Sequence, residues 1–325
     1  MKICVYGLGA IGSLLAARLS ATDHELICIA RGATLSVIEE QGLSFTSAGE
    51  TRRIDLNCTD DPATAGIQDV VFLTLKAYSL PAIAESLEPL LGPDTVVVTL
   101  CNGLPWWYHH GRSETANPEP VKAVDPAGDV WRCVGAEKAL GCVVYPAARV
   151  DAPGVVSHIS GDKFSLGEPD GSSSDRIFAV ADVLRKAGFE VSVSDDLRAE
   201  IWFKLMANAA YNPLSLLTGK TLGDMFDDPA TYQLIIDVMA EVSLVAESEG
   251  YKLALTPEQL VDATRPFAAH KTSMLLDFEA VKRVELDALV GAVQEVAQNN
   301  GVFIPALDTL QALAASKASA AGCYP

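Results

Sequence analysis

Apolar positions along the chain fall into two textures that change near residue 195. Lys2 to Tyr6 is a short apolar run that reads as a buried strand. Gly7-Leu8-Gly9-Ala10-Ile11-Gly12 follows as a turn, and Ser13 to Leu19 has helical spacing. Glu25 to Ala30 predicts a second strand and Thr34 to Gln41 a short helix. Val70 to Leu75 and Thr95 to Leu100 predict further buried strands, with a helix from Leu80 to Leu91 between them. Such alternation predicts a parallel sheet with helices on both faces. From Glu137 to Leu166, strand-like pieces broken by Pro146, Pro153, Gly154 and Gly161 predict antiparallel additions to the sheet edge. A helix from Asp175 to Ala187 and a strand from Glu190 to Ser194 complete that part. Glu114 to Asp129, rich in Pro, Ala and Gly, reads as an inserted surface loop.

After Asp195 the strands stop. Leu197 to Asn212, Ala230 to Glu249, Pro257 to Ala269, Phe278 to Asn299 and Ala306 to Ser319 all have helical length and spacing. The polar stretch Ser194-Asp195-Asp196 suits both a boundary and a helix cap. The expected division is therefore residues 1–195, an α/β domain, and residues 196–325, an all-helical domain. A length of 325 residues fits that count, since single cores stop growing near ~250–300 residues.

The glycine string is informative because of its setting. It follows a strand and opens a helix, so a bare backbone can approach a pyrophosphate lying at the positive helix end. Gly7, Leu8, Gly9, Ala10, Ile11 and Gly12 are thus candidate dinucleotide-binding residues, and the domain is expected to be Rossmann-type. Folds specific for NAD place an Asp or Glu about twenty residues beyond this motif. This chain has Arg31 directly after the second strand, which suits the 2′-phosphate of NADP(H); otherwise it is a surface Arg. Lys76 and Asn102 follow predicted strands at the sheet's carboxyl edge, where ligands bind, although either could be an ordinary loop residue.

In the helical half, Ile201 to Pro213 is apolar apart from Lys204, Asn208 and Asn212, which recur every four positions and form one slightly twisted stripe. An all-round apolar helix is buried. Burial lowers a lysine's pKa and suits a general acid for carbonyl reduction, where the arriving hydride leaves an alkoxide to be protonated. The alternative is that Lys204 snorkels outward. Glu285, read as helical with Val281, Ala288 and Leu289 beside it and Lys282 and Arg283 facing outward, is a second candidate. It could accept a hydrogen bond from a substrate hydroxyl, pair with Lys204, or be a surface Glu. Ser273 could bind a substrate carboxylate or cap a helix.

Charge and cysteine content narrow the rest. A net charge of -18 without Lys/Arg clusters excludes nucleic acid as the expected partner. The seven cysteines are scattered with no Cys-x-x-Cys pair, and Cys4, Cys28, Cys101 and Cys142 sit inside predicted strands. A reducing cytosol is expected, with no metal site and no thiol chemistry. The first residues lack the pattern of a signal peptide, and no apolar run reads as long enough to span a bilayer.

Taken in order, Gly7 to Gly12, Arg31, Leu75-Lys76-Ala77, Asn102-Gly103, Trp202-x-Lys204-x-x-x-Asn208-x-x-x-Asn212-Pro213, Thr272-Ser273-Met274 and Glu285-x-Asp287 resemble the landmarks of the ketopantoate reductase (2-dehydropantoate 2-reductase) family over essentially the whole chain. The resemblance implies NADPH-dependent reduction of ketopantoate to pantoate in pantothenate biosynthesis. It also implies a C-terminal domain resembling that of 6-phosphogluconate dehydrogenase. Lys204 would be the general acid and Glu285 would contribute to catalysis and substrate hydroxyl binding. Asn208, Asn212 and Ser273 would contact substrate, Arg31 and Lys76 the NADPH phosphates, and Asn102 the region near nicotinamide and substrate. The expected partners are a small 2-keto acid and, at most, a second copy of the chain. Two departures bear on the substrate: Asn102-Gly103-Leu104-Pro105-Trp106-Trp107 replaces the family's Asn-Gly-x-Gly, and His270 stands where an Asn commonly contacts substrate. The helical domain also resembles β-hydroxyacid dehydrogenases and opine or imine reductases, which leaves another small carbonyl substrate open.

Overall fold

The computed structural model describes residues 1–112 and 118–325. The chain forms two compact units. The first comprises Met1–Cys101, Pro105–Pro120 and Asp125–Leu197; the second comprises Asn102–Leu104, Val121–Val124 and Arg198–Pro325.

The first unit runs β1 (Lys2–Tyr6), α1 (Ala10–Leu19), β2 (Glu25–Ile29), α2 (Gly32–Gln41), β3 (Leu43–Ser47), β4 (Glu50–Ile54), β5 (Cys58–Thr59), α3 (Pro62–Ala65), β6 (Val70–Leu73) and β7 (Val96–Thr99). It continues through α4 (Asp129–Val134), β8 (Ala139–Val144), β9 (Ala147–Ala152), β10 (Val155–Ser160), β11 (Lys163–Gly167), α5 (Asp175–Lys186) and β12 (Glu190–Val193). Among the described residues, eight strands form one sheet in the order β12-β11-β8-β7-β6-β1-β2-β5, and four form another in the order β4-β3-β10-β9. The central strands pair in parallel; β6 and β7 are buried throughout and β1 apart from Lys2, as continuous apolar runs require.

The edge of the sheet differs from the expected antiparallel additions. β8 pairs in parallel with β7, and only β11 adds antiparallel, to β8. β9 and β10 leave the main sheet and join β3 and β4, a hairpin the hydrophobic pattern does not announce because β4 is almost wholly exposed. The helix expected from Leu80 to Leu91 is a string of 3-10 turns, Ala77–Ser79, Pro81–Ile83 and Glu85–Leu90. Pro89 lacks the N–H donor that an α-helix needs at that position. Cys101 lies beyond the end of β7 rather than in a strand, its thiol donating to the Leu75 carbonyl at 3.0 Å.

Part of the expected surface loop lies outside the described residues. The remainder, residues 118–128, is loop and turn with Glu119, Lys122, Pro126 and Ala127 exposed, and it is anchored inward at three points. Val121 and Val124 are buried, and the Glu295 carboxylate accepts from the Lys122 and Ala123 N–H groups at 2.9 and 2.8 Å. Asp125 is fully buried and accepts from the N–H groups of Val130 and Trp131, at 3.2 and 2.9 Å, at the start of α4. Trp106, Trp107 and Tyr108 are fully buried in the first unit, with the Trp106 indole N–H donating to Thr99 Oγ1 at 3.1 Å. A Cβ on Gly141 would stand 2.8 Å from the Trp107 ring, so a glycine in β8 makes the space that this indole fills.

The second unit is helical: α6 (Leu197–Thr218, its first residue assigned to the first unit), α7 (Leu222–Asp227), α8 (Pro229–Ser248), α9 (Pro257–Thr264), α10 (Ser273–Glu279), α11 (Ala292–Asn300) and α12 (Pro305–Ala320). Helix α6 passes through Pro213 instead of ending before it. A proline inside a helix costs roughly 3 kcal/mol. Here Leu214, Ser215 and Leu216 beyond it are buried, and Lys317 Nζ caps the Leu216 and Leu217 carbonyls at 2.8 Å each. Helix α8 corrects the reading that no run is long enough to cross a membrane, since it reaches that length and apolarity. Its apolarity serves packing: Ile235, Val238, Met239, Val242, Val245 and Ala246 are buried against neighbouring helices, and Glu241 caps α12 through the Ala306 and Leu307 N–H groups.

Trp107→Ala should destabilise the protein by about 3–5 kcal/mol, the usual cost of deleting a buried aromatic. Urea denaturation followed by circular dichroism measures it, and a loss under about 1 kcal/mol would contradict a fully packed indole.

Candidate active site

The parallel strands of the first unit end level: Tyr6 pairs with Ile29 and Leu73, and Leu73 with Thr99. Gly7, Arg31, Thr74 to Lys76 and Cys101 therefore all emerge at one carboxyl edge. The three motif glycines do different work there. Gly7 takes φ +104° and its N–H donates to the Ile29 carbonyl at 2.9 Å. A Cβ at Gly12 would stand 1.9 Å from the Gly7 carbonyl oxygen and 2.4 Å from Thr74 Oγ1, so α1 can rest on the turn only with glycine there. At Gly9 a Cβ would meet nothing within 4 Å.

Gly9 is thus the one position of the three that faces open space. It caps α1, whose first turn carries no acidic residue, so the helix end keeps its positive partial charge for an anion. The residues present fit a dinucleotide pyrophosphate. Thr74, which the sequence reading passed over, donates to the Tyr6 carbonyl at 3.0 Å and also to that of Gly7, holding the turn closed. Leu8 is buried, and Ala10 and Ile11 are half-buried. Arg31 is exposed, caps α2 in extended conformation, and makes no hydrogen bond or ion pair among the described residues. Lys76 is half-buried and heads the first 3-10 turn after β6.

In the second unit, α6 carries Lys204, Asn208 and Asn212 along one stripe. Lys204 and Asn208 are half-buried and Asn212 is 5% exposed. Lys204 Nζ donates to Asn102 Oδ1 at 2.9 Å, across 102 residues of sequence. Asn102 reaches it through Gly103 and Leu104, which belong to this unit although the strand before them does not. The Leu104 N–H donates to the Ala288 carbonyl at 3.2 Å. A Cβ on Gly103, at φ +88°, would lie 2.0 Å from that same oxygen. Ala288 sits in a π-helical turn, Asp287–Gly291. A π-turn shifts the hydrogen-bond ladder by one residue, which frees a carbonyl for an outside donor.

Glu285 is buried, 7% exposed, but it is not on a helical stripe. The helix expected from Phe278 to Asn299 breaks. Helix α10 ends at Glu279, Val281 takes φ +53° and is exposed, and residues 282–285 are in neither helix nor strand before the chain re-enters helix at Leu286. Lys282 N–H closes α10 on the Asp277 carbonyl at 2.8 Å, and Val284 N–H bonds the Cys323 carbonyl at 3.0 Å instead of a helical partner. Ser273 is the exposed first residue of α10; the cap is its neighbour Thr272, whose Oγ1 accepts from the Leu275 N–H at 3.2 Å. His270 is exposed and its ring lies 5.7 Å from that of Phe267. Ser273 and His270 join neither Lys204 nor Glu285 in any hydrogen bond among the described residues.

Residues 3–171 match the family described as ketopantoate reductase PanE/ApbA, and residues 196–318 match its C-terminal counterpart. The chain belongs to that family. Its members are oxidoreductases, and so is this chain. It is 41% identical to a 2-dehydropantoate 2-reductase of Mesorhizobium japonicum over 325 residues, covering 100% of both chains. It superposes on a structure described as a putative ketopantoate reductase from Ralstonia solanacearum MolK2 with TM-score 0.95 at 36% identity, covering 99% of each chain. D-mandelate dehydrogenase in a ternary structure with NADH and anilino(oxo)acetate shares the fold, with TM-score 0.85 at 20% identity over 99% of each chain.

Gly12→Ala should lower the unfolding free energy by about 1–3 kcal/mol through overpacking. Gly9→Ala should cost no more than about 1 kcal/mol, the range of a changed cap. Equal losses in urea titrations would contradict the different surroundings of the two glycines.

Proposed function

We propose that this protein reduces 2-dehydropantoate (ketopantoate) to (R)-pantoate with NADPH, the reductive step of pantothenate biosynthesis, in the cytoplasm. The observation that carries the reading is the Lys204–Asn102 hydrogen bond on a stripe that also bears Asn208 and Asn212. Residues 1–195 are assigned to the cofactor and 196–325 to substrate and catalysis, with Asn102 lent to the latter.

Bound NADPH supplies the hydride. The Lys204 ammonium, with one N–H committed to Asn102, directs another to the ketone oxygen, stabilises the negative charge that develops there and delivers the proton that completes the alcohol. Asn102 fixes the direction of that ammonium. Asn208, Asn212 and Ser273 hold the substrate's carboxylate and carbonyl. Glu285 accepts a hydrogen bond from the substrate hydroxyl, which favours keto acids that carry one. Gly7 to Gly12 cradle the pyrophosphate, while Arg31 and Lys76 hold phosphate, Arg31 taking the 2′-phosphate that separates NADPH from NADH.

His270 beside Phe267 favours a second reading, another small 2-keto acid, because an imidazole there presents a different shape and hydrogen-bonding pattern from an amide. NADPH oxidation with ketopantoate, pyruvate and 2-ketoisovalerate separates the two. Ketopantoate should turn over selectively, and preference for an unhydroxylated acid would overturn the assignment. Lys204→Ala should lower kcat by about 10²–10⁴-fold, the range of general acid catalysis. Arg31→Met should raise the KM for NADPH far more than that for NADH; equal effects would remove Arg31 from the 2′-phosphate.

A further inference from the structure

The stretch that carries Glu285 has little helix to hold it, and its anchors come from the far end of the chain. Helix α12 closes on Gly322 at φ +70°, with Cys323 N–H on the Ala318 carbonyl at 2.8 Å and Gly322 N–H on that of Ser319 at 3.0 Å. This paired closure turns the chain sharply back at a left-handed glycine. It delivers two groups to residues 284–287. The carbonyl of Cys323, a residue 1% exposed, accepts the Val284 N–H at 3.0 Å, and the Tyr324 hydroxyl donates to Asp287 Oδ1.

Asp287 opens the π-turn, and the next residue, Ala288, holds Leu104 and through it the loop of Asn102. Glu285 lies between the two anchored residues. Burial and the Asp287 carboxylate push the Tyr324 phenol up to about 12, so it remains a donor throughout the neutral range. Arg283 Nη2, 3.6 Å from Asp287 Oδ2 and exposed, adds only a screened ion pair.

We infer that Tyr324 is a positioning residue: by fixing Asp287 it holds the π-turn in the one geometry that sets both Glu285 and, through Ala288 and Leu104, the Asn102 partner of Lys204. The inference rests on the roles proposed above for Lys204 and Glu285, and its test separates the two.

In Tyr324→Phe, the Val284 and Leu104 amides should exchange hydrogen faster. Turnover of ketopantoate should fall about 10-fold in kcat, the scale expected when a reacting group is misplaced by a fraction of an ångström, with NADPH affinity and Tm near those of the native protein. Asp287→Asn, whose amide oxygen still accepts from the phenol, should retain most of kcat, whereas Asp287→Ala should match Tyr324→Phe. Unchanged Leu104 exchange and unchanged kcat in Tyr324→Phe would overturn the inference, as would a kcat loss that Asp287→Asn shares in full. A native protein inert toward ketopantoate whose Leu104 exchange still responds to Tyr324→Phe would sink the proposed substrate while sustaining the positioning link.

Discussion

Helix α1 rests on the Gly7 carbonyl at a separation that leaves no room for a single carbon atom at Gly12. That close approach sets the height of the helix above β1, and therefore where its positive end meets the carboxyl edge of the sheet. Thr74, bonded to the carbonyls on both sides of the Tyr6–Gly7 peptide, ties β6 into the same turn. The neighbouring strands end level with it, so Arg31 and Lys76 emerge at that edge as well. Close backbone packing at this turn leaves open space at Gly9 and at neither Gly7 nor Gly12.

The second unit solves a different problem, holding polar groups in an apolar helical assembly. A lysine on a largely buried helix needs an acceptor, and Asn102 supplies one from a loop that leaves its own strand to do so. The loop stays because Gly103 can lie against the Ala288 carbonyl and Leu104 can donate to it. That carbonyl belongs to a turn wound as a π-helix. Irregular winding in this place is local cost exchanged for an anchored polar pair.

Much of the fold is legible in the residue pattern. The glycine string after a buried strand, the parallel apolar runs and the change to helical spacing after Asp195 each report a local rule of burial or backbone freedom. The failures are equally physical. The Leu80 to Leu91 helix meets Pro89 in its interior, a residue that the sequence already displays. The β3–β4 hairpin is missed because an exposed strand carries no alternating signal. The stripe of Lys204, Asn208 and Asn212 is readable because four-residue spacing is a property of one helix. Glu285 is readable only as a residue type, since its expected helical setting does not exist.

By itself the sequence determined what short-range geometry controls: which segments bury, where glycine must stand, and which polar residues share a helix face. The tertiary structure alone decided that α6 runs through Pro213, that the chain breaks at Val281, that Leu104 bonds Ala288 and that Tyr324 bonds Asp287. Those outcomes depend on hydrogen bonds between residues far apart in sequence, such as Leu104 and Ala288. Their free energy exceeds a local preference only once the rest of the unit has brought the partners within reach.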